Sequence, residues 1–262
     1  MQGINKSSYE HVTPTDCLLQ TGASYPLQFC AHLYFILSGI WLWIRCLLFR
    51  LTGRKSDPLR ERLKLAERFR TYLALLKNWG ILKLEYSGFD DAATWCGSII
   101  IANHPSILDA VILLECFPFM DCVMTSRLLG SPVTSGAVKL CDFIRNDAAS
   151  SMIKTCKSRL ASGSNILIFP EGTRTRNKPV DEFHPGYVLV AKHCGAPIRT
   201  ILIECDSEYF GRQFSHFKPS RHAVRFKIAA GRVFQTDHQT DVRGLSAEIE
   251  EYFRLNLRGY GG

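Results

Sequence analysis

The sequence predicts an α/β fold: a mixed, largely buried sheet flanked by helices, with an N-terminal membrane-associated helical region in front of it. Three observations carry this reading. From about residue 81 onward, short apolar runs alternate with helical patterns, the arrangement expected of a sheet buried by helices. Hydrophobic residues make up 46% and charged residues 21% of the 262 positions, a globular mixture that excludes intrinsic disorder, collagen and coiled-coil arrays. Residues 27–44 (LQFCAHLYFILSGIWLWI) contain no charged side chain.

Residues 1–26 lack periodicity, are rich in turn formers and read as a mobile tail. The uncharged stretch 27–44 would reach about 27 Å as a helix, close to the roughly 30 Å hydrocarbon core of a bilayer. Trp41 and Trp43 suit an interface, while Gln28 and His32 fit hydrocarbon poorly. A span, a shallow insertion and a buried core helix all remain open. Between Arg45 and Arg70 lie nine basic residues against three acids, Asp57, Glu61 and Glu67, the pattern of a cytoplasmic flank drawn to anionic headgroups. Residues 58–79 form an amphipathic helical pattern opened by Pro58. Leu59, Leu63, Ala66, Phe69 and Leu73 give it an apolar stripe, interrupted by Arg70. That stripe fits either the headgroup layer or the protein core. Residues 27–79 are therefore taken as membrane-associated helices and 80–262 as the α/β domain. Within the domain the expected strands are 81–86, 98–102, 121–125, 164–169, 197–203 and 224–229, and the expected helices 106–116, 148–161, 187–194 and 244–257.

The formal charge of +8 calls for an anionic partner: phospholipid, phosphate ester, acidic carrier protein or nucleic acid. No helix-turn-helix, zinc finger or aromatic RNA-binding signature accompanies the charge, which argues against nucleic acid. Ten cysteines occur, none in a CxxC pair, in spacings that fit neither a zinc site nor a disulfide framework. They read as reduced thiols of a cytosol-facing protein, with no metal expected. The first 26 residues, mostly polar with Lys6 as their one cation, do not resemble a secretory signal.

Two polar clusters follow apolar runs, the usual position of a site in an α/β fold. After SIIIA comes Asn103-His104-Pro105-Ser106-Ile107-Leu108-Asp109. A turn between His104 and Asp109 lets the carboxylate curl back onto one ring nitrogen, fixing the tautomer and freeing the other nitrogen as a general base. This is the His–Asp half of a triad, so the nucleophile would be a substrate hydroxyl. The HxxxxD spacing is weak alone: His11 and Asp16 repeat it, with Pro14 between them and no strand before. Ser106 reads as a first-turn helix residue. The second cluster, Phe169-Pro170-Glu171-Gly172-Thr173-Arg174, follows NILIF. Gly172 allows close backbone approach, and a guanidinium beside backbone N–H groups suits a phosphate monoester.

NHPSILD followed by FPEGTR resembles the first and third motifs of the glycerophospholipid acyltransferase family, the PlsC-like 1-acyl-sn-glycerol-3-phosphate acyltransferases. The resemblance covers roughly residues 80–205, and Phe183-His184-Pro185-Gly186 is similar to that family's Phe-x-x-Gly. It implies an O-acyltransferase in phospholipid biosynthesis, at the cytoplasmic face of the inner membrane. His104, oriented by Asp109, would deprotonate the hydroxyl of a lysophospholipid, foremost 1-acyl-sn-glycerol-3-phosphate. The alkoxide would attack a thioester of acyl carrier protein or coenzyme A, with no bound cofactor. Glu171, Gly172, Thr173 and Arg174 would hold the headgroup. Lys139–Arg145 is a loose fit to the second motif and makes Arg145 a phosphate contact, with Arg127 a weaker candidate. Pro197-Ile198 matches the fourth motif, but Arg199-Thr200 departs from it and leaves acceptor identity open. The alternatives are another lyso-lipid, a specialised carrier-linked pathway lipid, or a catalytically silent lipid-binding relative.

Overall fold

The computed structural model describes residues 24–146, 148–207, 210–211 and 223–257. Most of the expected tail, and the His11/Asp16 pair with it, lies outside the described residues. Residues 24–26 are not tail but the first turn of helix α1 (Ser24–Leu51). The apolar stretch and the first two cations of its basic flank, Arg45 and Arg50, form that one helix, about 42 Å long at 1.5 Å per residue.

Helix α2 (Pro58–Asn78) is started by Asp57, whose carboxylate accepts the Leu59 and Arg60 amides, with Pro58 in the first turn, where its missing N–H costs nothing. The chain then runs through β1 (Leu82–Ser87), β2 (Ile99–Ala102), α3 (Leu108–Cys116) and β3 (Asp121–Met124). Next come α4 (Ser135–Leu140), β4 (Ile144–Arg145), α5 (Ala149–Ala161) and β5 (Ile166–Ile168). Helix α6 (Gly186–Cys194), β6 (Ile198–Cys205), β7 (Val224–Phe234) and α7 (Val242–Asn256) complete it. All six expected strands and four domain helices form, with ends shifted by a few residues. Helix α4 and the two-residue β4 were not anticipated, since neither is long enough to show a period.

The seven strands lie in the order β1-β7-β6-β2-β5-β3-β4. Strands β6, β2, β5, β3 and β4 are mutually parallel. Strand β7 pairs antiparallel with β6 and carries β1 parallel to itself, so the sheet is mixed. Strand β2 is central and wholly buried. Ile100 and Ala102 face one core, with α1–α4; Ile99 and Ile101 face the other, with α5–α7. A strand covered on both faces reads as a continuous apolar run, which is why SIIIA stood out.

Helices α1 and α2 form an antiparallel pair. Arg45 meets Glu61 at 2.8 Å, and Phe35 packs on Phe69 and Tyr72. Leu65, Ala66, Tyr72, Leu73 and Leu76 point to the core, while Leu59 and Leu63 of the expected stripe are exposed. Arg62 is buried and bound to Asp121 and to the Cys141 carbonyl, pinning α2 to the start of β3. Helix α1 buries Ala31, His32 and Leu42 and leaves Phe29, Leu33, Leu37, Trp41, Ile44, Leu48 and Leu51 exposed along one helical stripe. It also presses on α4 so closely that a Cβ at Gly136 would stand 2.3 Å from the Trp43 backbone nitrogen.

Gly136→Leu should therefore pry α1 from α4. Overpacking of this kind costs about 1–3 kcal/mol. A melting temperature several degrees lower, with faster proteolysis in α1, is the expected result; an unchanged melt would contradict the tight α1–α4 contact.

Candidate active site

The site is assembled at the carboxyl ends of two adjacent parallel strands, β2 and β5. Asn103 leaves β2 with its amide clamped on β6: Nδ2 donates to the Ile203 carbonyl and Oδ1 accepts the Ile203 amide, both at 2.8 Å. This pair of hydrogen bonds to the neighbouring strand holds the next residue, His104, at the carboxyl end of the sheet. Pro105 and the following turn delay the helix, so α3 begins at Leu108 rather than 106. Asp109 then lies in its first turn, where the helix dipole favours a carboxylate.

Asp109 is fully buried. Its Oδ2 accepts His104 Nδ1–H at 2.9 Å and the Ser106 amide at 2.7 Å. Burial pushes its carboxyl above the usual range, while the His104 hydrogen bond and charge, the Ser106 amide and the Arg174 guanidinium oppose the rise. With Nδ1 committed to Asp109, the lone pair of His104 resides on Nε2. The ring is stacked on Phe169 at 4.1 Å between centroids. Ser106 is buried and its Oγ accepts the Leu108 amide; it stands two residues ahead of α3 rather than in the first helical turn the sequence suggested.

The Phe169–Arg174 turn closes on this pair. Gly172 donates to the Phe169 carbonyl and takes φ +66°, a conformation other residues adopt only with strain. Glu171 is buried, and its oxygens accept the His104 amide, the Thr175 hydroxyl and the Asp181 amide at 2.8–2.9 Å. Burial raises its pKa, and those three donors lower it again. With both oxygens engaged by these donors, Glu171 braces one strand end against the other. Arg174 is half-buried and donates to the Gly211 carbonyl at 2.6 Å; burial lowers its pKa and the Asp109 charge restores part of it. Residues 210–211 tie the two motifs together, since the Phe210 carbonyl also accepts the Ile107 amide. Thr173 is exposed beside Arg174.

A cavity of about 310 Å³ opens against this site. His104 and Arg174 form part of its wall, and the rest is largely apolar, from α1, α2, α3, α4 and Phe143. A second cavity, about 430 Å³, between α2, α3 and β1 contains none of the motif residues. Arg145 is outside both walls. It is exposed at the carboxyl end of edge strand β4, on the same rim as His104 but three strands from β2, about 14 Å at normal strand spacing. Arg127 is exposed in a short 3₁₀ turn, Ser126–Gly130. Arg199, whose departure from the fourth motif left the acceptor open, sits at the opposite end of the sheet with its guanidinium over Trp95 and its Nε donating to Ser98. Sequence reasoning missed the stacking role of Phe169 and the clamp made by Asn103. Both adjoin the quoted motifs, but their roles depend on strand pairing.

A half-buried histidine on a buried aspartate and a braced arginine turn, on neighbouring strand ends, define a class of site. Residues 83–204, a little under half of the chain, match the family model Acyltransferase. Curated relatives point the same way. A 1-acyl-sn-glycerol-3-phosphate acyltransferase of Helicobacter pylori is 30% identical over 133 residues, covering 47% of this chain and 54% of its own. A chloroplastic 1-acyl-sn-glycerol-3-phosphate acyltransferase of Brassica napus is 26% identical over 110 residues, 40% of this chain and 32% of its own. The chain thus spans about a quarter to a half of the length of the curated relatives it matches. The crystal structure of the 1-acyl-sn-glycerophosphate acyltransferase PlsC of Thermotoga maritima shares the fold, with TM-score 0.61, 18% identity, and 92% and 94% of the two chains covered.

Asp109→Asn tests the pair. A carboxyl whose folded pKa stands above its unfolded value of about 3.9 binds its proton more tightly when folded, so its contribution is best at acid pH and declines as pH rises through that window. At pH 7 the Asn variant should melt above the parent, and that gain should vanish below about pH 4. Equal pH profiles for the two proteins would contradict the strained burial of Asp109.

Proposed function

We propose that the chain is an O-acyltransferase that moves a fatty acyl group from a thioester to the hydroxyl of a lysophospholipid, foremost 1-acyl-sn-glycerol-3-phosphate. The observation that carries this is the Nδ1–Asp109 bond, which leaves His104 Nε2 as a base in the wall of an apolar cavity shared with Arg174. The named activity of the curated relatives supports the same acceptor.

In this reading His104 Nε2 takes the proton of the acceptor hydroxyl. The alkoxide oxygen bonds to the thioester carbonyl carbon, and the C–S bond breaks as the tetrahedral intermediate collapses. The thiolate leaves and recovers the proton from the imidazolium. Asp109 keeps the tautomer and balances the transient charge. General-base help supplies about 10²–10⁴-fold, and positioning must supply the rest. Arg174, with the Gly172 and Thr173 backbone, faces the headgroup phosphate, while the acyl chain takes the apolar wall. Acyl carrier protein and acyl-coenzyme A both satisfy the donor chemistry, and no bound cofactor enters.

The same reading places the protein at the cytoplasmic face of a membrane, on rather than through it. Helix α1 is packed along its length, from Ala31 to Arg45, against α2, α4 and the domain core. Its outward stripe, with Trp41 48% and Leu48 51% exposed, is continuous enough to lie in the headgroup boundary, and the basic flank adds attraction to anionic lipid.

His104→Ala is expected to lower acyl transfer to a lysophospholipid by at least about 10²-fold while co-sedimentation with vesicles stays unchanged. Retained transfer would refute the base. Replacing Leu37, Trp41 and Leu48 together by Glu should cut partitioning onto anionic vesicles by more than about tenfold, because each buried apolar side chain contributes about 1.5–3 kcal/mol. Unchanged partitioning would move the anchor elsewhere.

A further inference from the structure

Helix α2 carries four arginines, and three have carboxylate partners. Arg60 pairs with Asp57, Arg62 with buried Asp121, and Arg70 with Glu115 at 2.9 Å. The fourth, Arg68, is half-buried among Leu65, Phe69 and Tyr72. Among the described residues no hydrogen bond or ion pair engages its guanidinium. It belongs to the wall of the cavity that holds His104 and Arg174, and no Asp or Glu lines that wall among the described residues. A guanidinium stays charged at any physiological pH. Holding one half out of water, against apolar neighbours and without a counter-ion, is unfavourable unless an anion completes the site.

We infer that Arg68 is an acceptor-specificity residue: together with Arg174 it contacts the headgroup phosphate of the lysophospholipid. The residue lies outside the matched segment 83–204, on the helix pair that carries the exposed apolar stripe. Two cations from different elements in one wall select a phosphate monoester, with its second negative charge, over a zwitterionic or neutral headgroup. Arg68 is also the one charged side chain that the two N-terminal helices contribute to this wall. A lipid drawn from the headgroup layer meets it on the α2 side while its hydroxyl approaches His104. This inference rests on the proposed acyl transfer. A phosphate ester also occurs in both candidate donors, so the experiment separates the two sources.

The test compares the full chain with Arg68→Gln and Arg68→Lys, and with Arg60→Gln as an exposed-charge control on the same helix. Kinetics are read on mixed vesicles, varying lysophosphatidic acid at saturating donor and then the reverse. Loss of a charge-assisted bond predicts an acceptor KM raised about 10- to 100-fold in Arg68→Gln, with kcat falling far less. The donor KM should hold within about twofold, Arg68→Lys should be intermediate, and the penalty should be much smaller with lysophosphatidylcholine. A rise in donor KM alone would assign Arg68 to the donor and overturn the inference. So would an unchanged acceptor KM, or an equal rise in Arg60→Gln, which would mark mere attraction to the vesicle surface. Equilibrium binding of short-chain lysophosphatidic acid to His104→Ala, with and without Arg68→Gln, gives a readout independent of turnover. Weaker binding in the double variant supports the inference, and equal binding overturns it. If the parent transfers no acyl group to any lysophospholipid, the acyltransferase reading fails by itself, and the binding comparison still decides whether Arg68 holds a phosphate.

Discussion

The buried hydrogen bond between Asp109 and His104 Nδ1 is the constraint on which the rest of the site depends. A carboxylate sealed from water is costly unless its oxygens are met by donors, and here one oxygen takes both the imidazole and the Ser106 amide. That arrangement requires a turn of set length between strand and helix, and a strand end that cannot shift. The Asn103 clamp on β6 and the Glu171 brace from the neighbouring loop meet the second need. His104 is thus held through its backbone by one carboxylate and through its ring by another. Two buried acids do positioning work so that one imidazole nitrogen is left with a free lone pair.

The price of this order is stability, because both Asp109 and Glu171 are pushed toward their protonated forms by burial. Active sites commonly keep such groups where an optimised core would replace them. The surrounding fold is suited to carry the strain. Central strand β2 is wholly buried between two apolar cores, and its neighbours on either side, β5 and β6, supply the two partners that fix its end.

The helix pair α1–α2 joins the membrane to that chamber. One face of α1 is part of the main core, and the opposite stripe is bare hydrocarbon. The hairpin is therefore less an appended anchor than a wall of the cavity beside His104 and Arg174, contributing Phe35, Leu42, Leu65 and Phe69 to it.

Much of this was legible in the residues alone. Periodicity and apolar runs located six strands and four helices of the domain, because burial imposes a pattern on any element long enough to repeat it. The motif residues His104, Asp109 and Arg174 were readable because their chemistry is local: a five-residue turn, or a cation beside a glycine. What the sequence could not decide was set by contacts between distant segments. Glu171 looked like a ligand residue in a string, yet strand adjacency turns it inward. Arg145 belonged to a plausible motif, yet β4 lies at the sheet's edge, three strands away. Arg199 seemed to bear on the acceptor, yet parallel pairing puts it at the far end. The uncharged stretch of α1 was compatible with spanning, surface-lying or buried positions. Only its packing against α2 and α4 showed one side committed to protein, since a pattern records how apolar a face is but not what covers it.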